Sequence, residues 1–256
     1  MRIIFLSLCM AAITMGCNNQ PKQEVDTNTY TGETTPVLSA YQLDSIKHEE
    51  FLADSIFFSG PTVTMKTNMG TMVFKLYNQT PQHRDNFIKL ANEGFYNGHK
   101  FHRIIKDFMI QSGDPNSKDG DPGNDGMGGP GYTVPAEFNP RFIHKRGALS
   151  AARESDEVNP KRASSGSQFY IVDGKTYKPN DPIYANFNTS NEAKNFYATI
   201  GGAPMLDGAY TVFGELISGI DIMEKIAGTP VKPNPISGEQ SMPSKEVKII
   251  SITVNQ

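Results

Sequence analysis

The chain has no tryptophan and only two cysteines among its 256 residues. Both cysteines, Cys9 and Cys17, lie near the N-terminus, so the remainder has no thiol for a disulfide, a thiolate metal site or a cysteine nucleophile. Neither charge sign dominates: 24 Lys and Arg stand against 27 Asp and Glu, a formal net charge of −3. Without a concentrated positive field there is no electrostatic basis for nucleic-acid binding, and small basic clusters such as Lys161-Arg162 read as solvated surface. The five histidines show no His-Glu-x-x-His spacing. There is also no Gly-x-Ser-x-Gly nucleophile turn and no phosphate-cradling glycine loop, so metal hydrolysis, serine hydrolysis and nucleotide binding lack support. The acidic stretch 114–121 has neither the alternating register nor the closing glutamate of a calcium loop and reads as a surface loop.

Long apolar runs are also missing. The one candidate extends from Ile3 to Met15, interrupted by Ser7 and Thr14, and falls short of the roughly 20 residues a spanning helix needs. It follows Arg2, ends at Gly16-Cys17 and gives way at once to Asn18-Asn19-Gln20, which marks 1–16 as a secretory signal; a cleaved soluble secretory protein is the alternative. Small Gly16 before Cys17 resembles a bacterial lipoprotein signal, in which the cysteine is lipidated. That resemblance implies a membrane tie through Cys17, each buried methylene contributing about 0.8 kcal/mol. It also implies location in a bacterial cell envelope, and the lack of an acidic run after Cys17 points to the periplasmic side.

Residues 17–60 divide into a polar tether up to about Pro36, which cannot offset the entropy of ordering, and an amphipathic segment 39–58. There Leu43, Ile46, Ala53 and Phe57 share one helical face, fit to dock on the following domain or to bind a partner. Residues 61–256 then form the main domain, within a composition of 38% hydrophobic and 20% charged residues that suits a globular core. Val63, Met65 and Thr67, a turn at 68–70, and Met72, Phe74 and Leu76 alternate as a β-hairpin. Thr80-Pro81 and Gly94 bracket a helix over 81–93. Strand patterns follow at 101–105, 109–112, 147–152, 168–172, 211–216 and 246–254, with a second helix at 220–227. Eight short strands and two helices predict a mainly β fold, a closed antiparallel barrel capped by the helices. The 113–131 loop and the 174–204 insertion stand outside this pattern; the insertion either walls a pocket or braces the barrel.

Three motifs carry chemistry. Phe101-His102-Arg103-Ile104-Ile105-Lys106-Asp107-Phe108-Met109-Ile110-Gln111-Ser112-Gly113-Asp114 resembles the signature strand pair of the cyclophilin family. Ser165-Gly166-Ser167-Gln168-Phe169-Tyr170-Ile171 resembles its Gly-Ser-Gln-Phe-Phe-Ile strand, and Leu206-Asp207-Gly208-Ala209-Tyr210-Thr211-Val212-Phe213-Gly214 its Leu-Asp-Gly-x-x-x-Val-Phe-Gly loop and strand. The order is right and the resemblance runs from about Thr62 to the C-terminus. It implies a cyclophilin-like barrel and peptidyl-prolyl cis-trans isomerase activity on proline-containing segments of exported proteins, with no cofactor or metal, in a monomer. A non-catalytic chaperone or scaffold module that binds proline peptides is the alternative.

The residue types suit that chemistry. Rotation about an X-Pro bond breaks amide resonance, a barrier of about 20 kcal/mol, and needs no nucleophile. It is helped by a dry apolar grip on the proline ring and a donor aimed at the twisted amide. Arg103 suits the donor role through its permanent charge and planar fork. The resemblance makes Arg103, Phe108 and Gln111 the catalytic set and places Met109, Tyr170 and Leu206 on the proline pocket, with Gln168 binding peptide backbone and Ala152 flanking it. Three departures, Met205 where many members have Trp, Arg153 where they have Asn and Tyr210 where they have His, point to altered specificity. The last two resemble the bacterial branch.

Overall fold

The computed structural model describes residues 59–187 and 189–255. The signal, Cys17, nearly all of the 17–60 tether and the 39–58 segment lie outside the described residues. Among those described, no helix is long and apolar enough to cross a membrane.

The strands are β1 (Thr62–Thr67), β2 (Gly70–Leu76), β3 (Arg103–Ile105), β4 (Met109–Ser112), β5 (Thr133–Val134), β6 (Ala148–Ala151), β7 (Ser164–Ser165), β8 (Phe169–Val172), β9 (Val212–Ser218), β10 (Val231–Pro233), β11 (Gln240–Pro243) and β12 (Ile249–Asn255). Eight of them form one antiparallel sheet in the order β12-β1-β2-β9-β6-β8-β4-β3, while β5–β7 and β10–β11 pair separately. In β1 and β2 the alternation delivers Val63, Met65, Met72, Phe74 and Leu76 to the core, as period-2 patterning requires.

The sheet curls into a half-barrel that is open, not closed. The edge strands β3 and β12 form no ladder with each other. An isolated bridge joins Lys100 to Lys248, supported by backbone bonds such as Phe101 N–H to Val247 O at 2.9 Å. The reason is local: β3 is only three residues long and begins at Arg103, so contact with the β12 side falls to the irregular chain before it instead of to a strand.

Among the described residues, helices α1 (Pro81–Asn92), α2 (Asn191–Thr199) and α3 (Ile220–Ala227) number three where the sequence pattern predicts two for the main domain. Phe87 and Leu90 of α1 and Met223 and Ile226 of α3 enter the core between the strands. The additional helix, α2, lies in the 174–204 insertion, capped by Ser190 Oγ accepting from Ala193 N–H at 3.1 Å. It buries only Ala193 and Tyr197, a stripe too narrow to stand out in the sequence.

The N-terminus of α1 is capped from a distance. Thr80, the expected cap residue, turns its hydroxyl to Tyr77 O at 3.3 Å. The Glu137 carboxylate instead accepts from Gln82 and His83 N–H at 3.1 and 2.9 Å and from His83 Nδ1 at 2.6 Å. His83 Nε2 in turn meets Ser164 Oγ at 2.9 Å, so one carboxylate ties α1 to β7. At the other end Gly94, at φ +67°, ends the helix with Phe95 N–H bonded to Leu90 O at 3.0 Å, the left-handed closure glycine permits.

Burial acts to raise the Glu137 pKa, but the hydrogen bonds from His83 and from the helix N–H groups outweigh it and hold the carboxyl below its usual value. Its stabilisation is therefore complete above the ordinary carboxylate range and is lost as pH falls through the lowered folded-state value. Glu137→Ala is expected to cost about 1–2 kcal/mol at neutral pH. Denaturant melts should show the gap between this variant and the parent closing on acidification.

Candidate active site

The sheet register assembles the site from segments far apart in the chain. Arg103 pairs with Gln111, Gln111 with Tyr170, and Tyr170 with Ser150, one row across β3, β4, β8 and β6. The next row, Ile104, Ile110, Ile171 and Leu149, is wholly buried in the main core. Successive residues on a strand face opposite sides, so packing the isoleucine row inward turns the Arg103 row outward. The β3–β4 connection takes three residues: Ile105 pairs with Met109 and Asp107 sits at φ +63°, its N–H held by Asp173 Oδ2 at 2.8 Å. Phe101 does not share the Arg103 face as strand alternation would have it. The strand begins only at Arg103, and Phe101 joins Ile104 in the core.

Arg103, Phe108, Met109, Gln111, Ala152, Arg153, Tyr170, Leu206 and Tyr210 line one pocket of about 290 Å³. Two candidates lie elsewhere. Met205 belongs to the short turn Pro204–Leu206, where Leu206 enters the pocket and Met205 packs between the cluster that holds Met109 and Tyr170 and the cluster of Tyr177, Tyr184 and Tyr197. Gln168 lines an adjoining groove of about 620 Å³ that shares Gln111, Ala152 and Arg153 with the pocket. No described residue of 174–204 reaches the pocket wall.

The polar groups are held in two chains. Arg103 Nη1 approaches Gln111 Oε1 at 3.4 Å, Gln111 Nε2 donates to Gln168 Oε1 at 3.0 Å, and Gln168 Nε2 donates to Gly126 O and Gly128 O at 2.9 and 2.8 Å. Gln168 thus spans from the pocket side to the 113–131 loop. That loop leaves β4 through Gly113, at φ +90°, where a Cβ would fall 2.2 Å from Ser167 O. Under the pocket, Tyr170 O–H donates to His144 Nε2 at 2.9 Å, His144 Nδ1–H to Asp207 Oδ1 at 2.9 Å, and Tyr197 O–H to Asp207 Oδ2 at 2.6 Å. Burial pushes the Tyr170 hydroxyl far above its ordinary pKa, keeping it a neutral donor. Through Tyr197 the insertion braces this network.

Arg153 is largely engaged within the protein. Its guanidinium lies 4.4 Å from the Tyr210 ring centroid, Nε donates to Ala209 O at 2.8 Å, and Nη1 meets Asp156 at 2.6 Å. Sequence reasoning missed Glu239. Its carboxylate forks onto Arg103, Nε to Oε2 at 2.8 Å and Nη2 to Oε1 at 3.2 Å, and that hydrogen bonding, with the Arg103 charge, holds the carboxyl below its usual pKa. No local pattern marks a partner 136 residues away. Among the described residues, no group of three or more His, Cys, Asp or Glu is placed to hold a metal.

An open antiparallel β half-barrel thus carries a pocket with Phe108, Met109, Tyr170 and Leu206 in its wall, the Arg103 and Arg153 guanidiniums at its edge and a groove alongside. The chain belongs to the cyclophilin-type peptidyl-prolyl cis-trans isomerases, whose family model matches residues 62–254. A Staphylococcus aureus protein assigned as a peptidyl-prolyl cis-trans isomerase is 38% identical over 199 residues, covering 76% of this chain and 91% of the relative. The crystal structure of a Cryptosporidium parvum cyclophilin-type isomerase matches with TM-score 0.57 and 27% identity, over 77% of this chain and 98% of that one. A second crystal structure of that isomerase, in the presence of the dipeptide Ala-Pro, matches with TM-score 0.56 and 28% identity, over 76% of this chain and 99% of that one.

Tyr170→Phe should leave His144 Nε2 buried without a partner. The expected loss is roughly 1–3 kcal/mol of stability, read as a lowered midpoint in chemical denaturation.

Proposed function

We propose that this isomerase acts on X-Pro segments of exported proteins, with the proline ring in the pocket of Phe108, Met109, Tyr170 and Leu206 and the Arg103 guanidinium directed at the twisting amide. The observation that carries this reading is the pocket itself: apolar walls and a permanently charged donor on one rim. Burying the ring and the prolyl amide there removes water that solvates the planar, conjugated form, and a donor to the amide favours the pyramidal nitrogen of the transition state. Gln111, in hydrogen-bond reach of Arg103, orients the donor side of the pocket. The adjoining groove along Gln111, Ala152 and Arg153 suits the extended chain flanking the proline. Uncatalysed X-Pro isomerisation takes tens of seconds or longer, which limits the folding of a freshly exported chain.

The envelope location rests on the N-terminal sequence. The apolar run that ends at Gly16-Cys17 supports signal cleavage before Cys17, a lipid on its thiol, and residues 18–60 as the spacer between membrane and domain.

Two measurements test these readings. Exchange NMR on an X-Pro peptide with the full chain should show accelerated cis-trans exchange, and Arg103→Ala should lower that rate about tenfold to a hundredfold, the worth of one charge-assisted hydrogen bond; an unchanged rate would remove Arg103 from the mechanism. Expressed in a bacterial host fed labelled fatty acid, the chain should take up label, and Cys17→Ser should abolish uptake and release the protein from the membrane fraction.

A further inference from the structure

The β10–β11 hairpin stands apart from the main sheet and packs against β3 through β11. Its turn is held from within. Asn234 N–H bonds Glu239 O at 2.8 Å, Gly238 N–H bonds Asn234 O at 2.8 Å, and Asn234 Oδ1 accepts from Ile236 and Ser237 N–H at 2.8 and 3.1 Å. Glu239 enters the turn bonds through its main chain, with its N–H on Ser237 Oγ at 3.3 Å and its carbonyl also accepting from Ser241 N–H at 2.8 Å, while the Ser241 hydroxyl is a minor partner of its carboxylate. The carboxylate is left to reach across to β3.

There it takes one edge of the Arg103 guanidinium, Nε at 2.8 Å and Nη2 at 3.2 Å. The opposite edge, Nη1, faces the pocket, with Gln111 Oε1 at 3.4 Å and Met109 Sδ at 3.8 Å. A fork of this kind fixes the plane of a guanidinium and not merely its position. Glu239 does not line the pocket, so the contact does not fill the space a proline ring would occupy. The pair is only partly shielded, with the Arg103 and Glu239 side chains 33% and 40% exposed. Its effect on overall stability is correspondingly small, and its effect on orientation is what remains.

We propose that Glu239 is a positioning residue for the isomerase reaction, carried on the β10–β11 hairpin to hold the Nε edge of Arg103 so that the Nη1 edge points into the proline pocket. This rests on the reading of Arg103 as the donor to the twisting amide. An arginine on a three-residue edge strand has several rotamers open to it, and a carboxylate clamp outside the pocket selects one before substrate arrives. Orientation that matters only as the amide twists alters kcat and leaves KM nearly unchanged.

The test is exchange NMR over a range of X-Pro peptide concentrations with the full chain and its Glu239→Ala, Glu239→Gln, Arg103→Ala and Glu239→Ala/Arg103→Ala variants. Glu239→Ala is expected to lower kcat about 3- to 30-fold, the range set by freeing an arginine side chain, with KM within about twofold. Glu239→Gln, which keeps one acceptor, should fall between it and the parent. The double variant should be no slower than Arg103→Ala alone, because the two residues act as one unit. If Glu239→Ala fails to fold, Glu239→Gln carries the test, since the turn bonds use only the main chain of residue 239. A kcat that is unchanged or raised in a folded Glu239 variant, with Arg103→Ala still slowed, overturns the positioning role and leaves the donor reading intact. Full activity in Arg103→Ala overturns both.

Discussion

The antiparallel register across β3, β4, β8 and β6 is the constraint on which the site depends. One row of that ladder, Ile104, Ile110, Ile171 and Leu149, is sealed in the core, and the row beside it carries Arg103, Gln111 and Tyr170. A slip of one residue would exchange the rows, exposing four large aliphatic side chains and burying a guanidinium. The free energy that fixes the core therefore also fixes the pocket. The β3–β4 hairpin, β6 and β8 meet because their backbone hydrogen bonds leave no other alignment that hides the apolar row.

Around that row, side-chain hydrogen bonds supply what register alone does not. The chain from Arg103 through Gln111 and Gln168 ends on the carbonyls of Gly126 and Gly128, so the glycine-rich loop and the pocket edge are parts of one network. The chain from Tyr170 through His144 to Asp207 and Tyr197 lets an aromatic residue with a polar end sit under the pocket without leaving a buried hydroxyl unpaired. Arg153 and Arg103 are each neutralised from outside the pocket, by Asp156 and by Glu239. The cations thereby stay beside an apolar surface that could not solvate them.

Much of this was legible in the sequence, and for identifiable reasons. The eight main strands and two of the helices follow from alternation, proline and glycine signals that act over a few residues. Most candidate site residues meet in one pocket because the motifs that carry them fall on adjacent strands. The misreadings share one origin. Thr80 has the residue type of a helix cap, yet Glu137 takes the bonds. Phe101 fits an alternating strand, yet the strand starts two residues later. In each case a partner remote in sequence offered more burial or a charged acceptor, and tertiary contact overrode local preference.

The sequence by itself determined the family, the antiparallel strands with their inward faces, and the residue types from which a proline pocket can be made. The strands are written in local patterns whose spacing repeats at two residues, whereas the family and the pocket residues are carried by the resemblance of three short motifs. Only the tertiary structure decided that the barrel stays open, that α2 braces the pocket instead of walling it, and that Arg103 is clamped by a carboxylate 136 residues away. Those outcomes depend on which surfaces meet once the chain has folded, and such meetings have no period to read.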